Sequence, residues 1–181
     1  MIKKNTIIIF SFICLAWAQF ETPVTLKAFQ KEEVRAGEVS TIIVEAEMEQ
    51  EWRIYALRDQ GKGPVASKVT ILSDIVEDIG LVLEEDPVVK YDDAFETTTR
   101  THHGGTSFQA PFLVKKNISP GVYDVEVEVL YQVCNATLCY PPNREILKVQ
   151  AGIIKGIPRN DFLDMIANAD PVRDASGNIN L

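Results

Sequence analysis

The sequence predicts an all-β fold, an immunoglobulin-like antiparallel β-sandwich followed by a short C-terminal helix or tail, and three observations carry that expectation. Apolar and polar residues alternate at period two far more often than at any helical period. Turn-forming groups of Gly, Pro and Asn punctuate the chain at short intervals. A length of 181 residues with 46% hydrophobic side chains suits one ordinary domain and neither a disordered tail nor a repeat array.

Taken in order, residues 1–18 read as a signal peptide. Lys3 and Lys4 give a positive start, Ile7 to Leu15 form a short apolar stretch, and Ala16-Trp17-Ala18 offers the small-x-small pattern for cleavage after Ala18. A lipoprotein anchored at Cys14 is disfavoured, because bulky Ile13 stands where a small residue is wanted. Export to the periplasm follows, with Cys134 and Cys139 as the remaining cysteines in a compartment where disulfides persist. The domain itself spans 19–155. Its clearest strand is 123–133, with Tyr123, Val125, Val127, Val129, Tyr131 and Val133 on one face and Asp124, Glu126, Glu128 and Gln132 on the other. Shorter runs fall at 24–29, 39–48, 52–57, 68–72, 81–83, 108–114 and 145–151. Turns between them are marked by Ala36-Gly37, Gly61-Lys62-Gly63-Pro64, His103-Gly104-Gly105, Ser119-Pro120-Gly121 and Pro141-Pro142-Asn143. Residues 156–181 form a helical or flexible tail, in which Asp161 to Ala167 could make a short amphipathic helix.

Charge and motifs exclude several function classes. A formal charge of -8 argues against nucleic acid and against anionic membrane surfaces, both of which need clustered Lys and Arg. No apolar run reaches the roughly 18 residues of a bilayer span. There is no Gly-rich phosphate loop and no HExxH, so neither cofactor nor metal is expected. His102 and His103 sit together in a Gly-flanked stretch that reads as an exposed polar turn, and on a strand they would point to opposite faces, unable to chelate one ion. Gly105-Thr106-Ser107 lacks the strand-turn-helix setting of a nucleophilic serine. Glu84-Glu85-Asp86 and Asp92-Asp93 read as solvated loop faces, with Asp93 kept as a site candidate.

The chemistry resides in Tyr131-Gln-Val-Cys134-Asn-Ala-Thr-Leu-Cys139-Tyr-Pro-Pro142, where two cysteines with four residues between them follow the strongest strand. Closing so short a loop stabilises a fold by only about 2 kcal/mol on the chain-entropy model. A rim disulfide of that kind suits exchange with a partner thiol, with Tyr140 and the rigid Pro141-Pro142 fixing the second cysteine at the surface. The alternative is a non-enzymatic secreted β-sandwich binding module whose disulfide is a local structural clamp. Metal delivery by the pair lacks neighbouring Met or His.

Tyr131-Gln132-x-Cys134…Cys139-Tyr140-Pro141-Pro142 resembles the signature of the N-terminal periplasmic domain of the DsbD-type thiol:disulfide interchange protein. Trp52-Arg53-Ile54-Tyr55 is similar to that family's aromatic strand before the active site, Gly63-Pro64 resembles a common sequel in its relatives, and Asp93-Ala94-Phe95 resembles its cap loop. The resemblance covers most of residues 24–151. It implies an immunoglobulin-like module that relays reducing equivalents between thioredoxin-fold envelope proteins through transient mixed disulfides. Cys139 would form the mixed disulfide, Cys134 would resolve it, and Phe95, Asp93, Tyr140, Tyr55, Trp52 and Pro141 would surround or cap the pair. Two departures stand out: the cysteine spacing is slightly shorter than in the best-known members, and Ala94 stands where an acidic residue is expected. The sequence as given ends without the family's transmembrane and thioredoxin-like regions; if it is a complete gene product, the expected electron donor is a separate molecule.

Overall fold

The alternation of Val125, Val127, Val129 and Tyr131 makes one face of the long central strand apolar, and that face is buried while Asp124 and Glu126 stay in water. In the computed structural model, which describes residues 22–58, 63–93, 95–159 and 161, the chain forms thirteen strands. These are β1 Val24–Gln30, β2 Val34–Arg35, β3 Val39–Met48, β4 Arg53–Tyr55, β5 Lys68–Leu72, β6 Val76–Asp78, β7 Leu83–Glu84, β8 Val88–Asp92, β9 Thr97–His103, β10 Gly105–Val114, β11 Gly121–Tyr131, β12 Val133–Cys134 and β13 Asn143–Ile154. The expected signal peptide and Ala94 lie outside the described residues, as does all of the expected 161–167 helix except Asp161.

Two sheets make the sandwich. One has the order β1-β3-β10-β6 with β7 also on β10, and the other has the order β2-β13-β11-β5. Pairing is antiparallel except between β2 and β13. Their inner faces supply one core, in which Ile42, Val44, Phe108 and Phe112 from the first sheet meet Val125, Val127, Val149 and Ala151 from the second. The fold is all-β and immunoglobulin-like, as the alternation predicts.

A third sheet, β12-β4-β9-β8, closes one end of the sandwich. Two of its strands are chained directly to sandwich strands. β11 passes into β12 across Gln132, and β9 passes into β10 across Gly104, whose φ of +72° is the left-handed turn a side chain would resist. The sequence reading missed β8 and β9. Its exposed turn at His102-His103 is corrected: both lie on β9, and His102 is buried, bonded through Nε2 to Glu84 at 3.0 Å and through Nδ1 to Thr106 at 3.2 Å. Glu84 is likewise no solvated loop residue. Its side chain is 8% exposed and also accepts the Leu57 amide at 2.8 Å, because a buried histidine and a buried amide both need a partner.

At the opposite end, Glu38 is fully buried. It accepts the Arg35 amide and three donors of Arg159: the backbone amide, Nε and Nη2. Arg159 and its neighbours hold the Glu38 carboxyl at about 2, against the burial that would raise it. This clamp fastens the chain after β13 onto the β2–β3 turn.

Candidate active site

The third sheet sorts its side chains by alternation. Ile54 and Val133 point into the core, so Arg53, Tyr55 and Cys134 point outward. The pairing register then sets a row across the strands. Cys139 bridges to Cys134, Cys134 pairs with Arg53, and Arg53 pairs with His103. Directly opposed residues share a face with Cβ atoms about 4.5–5.5 Å apart.

Cys134 and Cys139 are joined by a disulfide with Cα atoms 4.1 Å apart. The loop between them is a tight hairpin. The Asn135 amide donates to Leu138 O at 2.8 Å, while Asn135 Oδ1 accepts the amides of Thr137 and Leu138. This is the turn chemistry for which asparagine is suited. The Tyr140 amide donates to Val133 O, and Gln132 holds the hairpin from behind, donating to Tyr140 O at 3.1 Å and accepting the Val65 amide at 2.8 Å. Trp52 and Tyr140 stack with ring centroids 5.2 Å apart and planes 5° from parallel. The two cysteines differ in setting: Cys134 is fully buried, whereas Cys139 is exposed.

Beside Cys139 lies a cleft of about 380 Å³. Its floor is Arg53, Thr99, Thr101 and His103, and its walls include Val88, Tyr91, Asp93, Phe95 and Leu138. In register, Asp92 sits opposite Thr97, six residues along β9 from His103. In a flat strand that is roughly 20 Å. Yet Arg53 Nη2 reaches Asp92 Oδ2 at 3.3 Å, and Phe95 meets Tyr55 edge-on at 6.4 Å. The β8–β9 hairpin therefore curls back, and its tip lies over β4. That cover explains why Tyr55 is fully buried on the outward face. Glu96 at the tip holds φ at 52°, a strained conformation for a residue with a side chain.

Electrostatics here are unsettled in a way the Glu38 clamp is not. The Tyr55 hydroxyl is buried with no hydrogen bond of normal geometry, although the Arg53 guanidinium lies beside it. Burial pushes its phenol up, with Arg53 opposing. His103 is pushed below its ordinary value, first by burial and then by Arg53 and His102, which favours the neutral ring. Among the described residues no group of three or more His, Cys, Asp or Glu is arranged to hold a metal ion.

Of the residues singled out in the sequence, Cys139, Asp93 and Phe95 line the cleft, and Tyr55 lies beneath Phe95. Trp52 and Tyr140 stack behind the cysteine hairpin, and Pro141 is exposed just past it. Arg53 was not singled out as a site residue; His103 was set aside as part of an exposed turn and Asp92 as a solvated loop face, whereas Asp92 ends β8 with its side chain 9% exposed. Position 53 shares a face with Tyr55 by simple alternation, but only the register puts it opposite Cys134.

The geometry defines a β-sandwich domain carrying an asymmetric surface disulfide. Residues 21–151 match the family of the N-terminal domain of the thiol:disulfide interchange protein DsbD, and the chain belongs to that family. Among solved structures, the N-terminal domain of Neisseria meningitidis DsbD in the reduced form is 17% identical, with 65% of this chain and 80% of that one covered, at a TM-score of 0.44. The N-terminal periplasmic domain of ScsB from Proteus mirabilis is 15% identical, with 84% of this chain covered and a TM-score of 0.51. That likeness supports the fold, and this chain spans only 56% of the ScsB domain's length. No curated protein matches the chain. Among the described residues no helix is long and apolar enough to cross a membrane.

Proposed function

We propose that residues 19–155 are an exported thiol-disulfide oxidoreductase module, working in the periplasm after removal of residues 1–18, which relays reducing equivalents between thioredoxin-fold proteins through Cys134 and Cys139. Residues 156–181 form the tail. The observation that carries the reading is the asymmetry of the pair: one cysteine exposed beside a cleft, the other fully buried.

In the forward direction a Cys139 thiolate attacks a partner disulfide, forming a Cys139–partner bond and expelling one partner thiolate. Cys134 then attacks Cys139, the internal disulfide closes, and the partner leaves as a dithiol. Exposure selects Cys139 for the first step, since a partner sulfur must approach in line. Burial reserves Cys134 for the second. Exposed Val88, Tyr91 and Leu138, at 54%, 56% and 49%, rim the cleft and give a small apolar contact around the reacting sulfur. Phe95 and Asp93, on the curled hairpin tip, act as the cap that admits a fitted partner.

The test mixes reduced protein with an oxidised thioredoxin-fold envelope protein and follows disulfide transfer by thiol labelling. Transfer faster than that to glutathione disulfide supports the relay. Equal rates would leave the disulfide as a local clamp in a binding module.

A further inference from the structure

We infer that Arg53 is the counter-ion of the Cys134 thiolate, a positioning residue that lets the buried sulfur leave and return during exchange. The inference rests on the exchange reading above and deepens it.

When the protein is reduced, a thiolate of a dithiol partner attacks Cys139 Sγ. A partner–Cys139 bond forms, the Cys134–Cys139 bond breaks, and the electron pair departs on Cys134 Sγ. The partner's second thiolate then displaces Cys139 and the partner leaves as a disulfide, while water protonates the sulfurs. Oxidation is the reverse, with Cys134 as the internal nucleophile. In both directions negative charge gathers on a sulfur that has no exposure to water. An uncompensated buried anion is costly, so its site needs a cation or donors.

The row of opposed residues supplies one. Arg53 pairs directly with Cys134, lies on the same face and lines the cleft. The other groups facing this space are poorer candidates. Across Arg53, the His103 pKa is pushed down and favours the neutral ring, Tyr55 is held neutral by burial, and Lys90 lies on β8, three strands from Cys134 on β12. Asp92 and Asp93 are acids. Asp92 takes one guanidinium nitrogen at 3.3 Å, a long contact, and the Tyr55 hydroxyl lies beside the guanidinium; together they orient the fork without using all five of its donors.

The experiment measures the equilibrium of the Cys134–Cys139 pair with glutathione and its rate of reduction by dithiothreitol. Arg53→Met should shift the equilibrium about tenfold toward the disulfide, a potential lower by about 30 mV. It should also slow reduction by about the same factor. Arg53→Lys should recover most of both effects. Asp92→Asn, by freeing the guanidinium from its carboxylate, should move the equilibrium severalfold the other way, a gain that misfolding does not produce. An unchanged potential in Arg53→Met, or Arg53→Lys behaving like Met, overturns the inference. Glutathione and dithiothreitol report on the pair alone. Loss of transfer to thioredoxin-fold proteins with the Arg53 shift intact would therefore sink only the relay reading.

Discussion

Both ends of the sandwich place an arginine beside an acid, and they use the pair in opposite ways. At the Glu38 end one fully buried carboxylate collects four nitrogen donors, from Arg35 and Arg159, and its pKa falls to about 2. At the cysteine end Arg53 meets Asp92 at 3.3 Å, the Tyr55 hydroxyl has no hydrogen bond of normal geometry, and Glu96 is held at positive φ. The first end gives its buried carboxylate a full set of donors, although Arg35 Nε is left without a partner, and is a fastening. The second leaves donors and strain uncommitted around a surface disulfide, which is the arrangement expected where charge must appear and vanish during a reaction.

The largest effect should come from breaking the fastening. Glu38→Ala should destabilise the protein by about 3 kcal/mol, the low end for a buried pair because Arg159 keeps 32% of its side chain exposed. Chemical denaturation measures this, and the rate of disulfide exchange in the folded variant should not change. The pH dependence has a definite sign. Because folding depresses the Glu38 pKa from 4.5 to about 2, the clamp's contribution is full above pH 4.5 and is lost as pH falls toward 2. Glu38→Gln should flatten the acid-denaturation profile in that window.

Much of this contrast was hidden from the sequence, although the fold was not. Strands 39–48 and 68–72 coincide with β3 and β5, and the faces of β11 follow its alternation, since one side of each is packed into the core. β8 and β9 escaped for a physical reason. Val88 to Tyr91 are exposed on both faces, and β9 floors the cleft with threonines, so neither shows an apolar period. The cysteine pair was legible because it is local, as were Trp52 and Tyr55 through their likeness to a family strand. Arg53, His103 and the His102–Glu84 bond depend on register between distant segments, which a single sequence does not encode in any visible pattern.

Returning to the cysteine end, replacing both Cys134 and Cys139 by Ser should cost about 2 kcal/mol, the loop-closure term for so short a ring. A thermal melt of the double variant measures it, and a loss well above that of Glu38→Ala would make the disulfide the main fastening and reverse the comparison. Phe95→Ala should cost about 1 kcal/mol through its lost edge contact with Tyr55. It should speed the reaction of Cys139 with a small disulfide. A large stability loss with unaltered reactivity would make Phe95 a core anchor and no cap. Tyr55→Phe is the smallest change. Deleting a hydroxyl with no hydrogen bond of normal geometry should be neutral or stabilise by up to about 1 kcal/mol. A clear destabilisation would show that this end, too, is satisfied.

The central claim is that the two cysteines divide the work by burial, with exposed Cys139 meeting partners and buried Cys134 resolving. Trapping with single-cysteine variants tests it most directly. Cys134→Ala, mixed with an oxidised thioredoxin-fold protein, should accumulate a covalent complex on non-reducing gels, while Cys139→Ala should form none. Equal yields of complex from the two variants would contradict the division of roles.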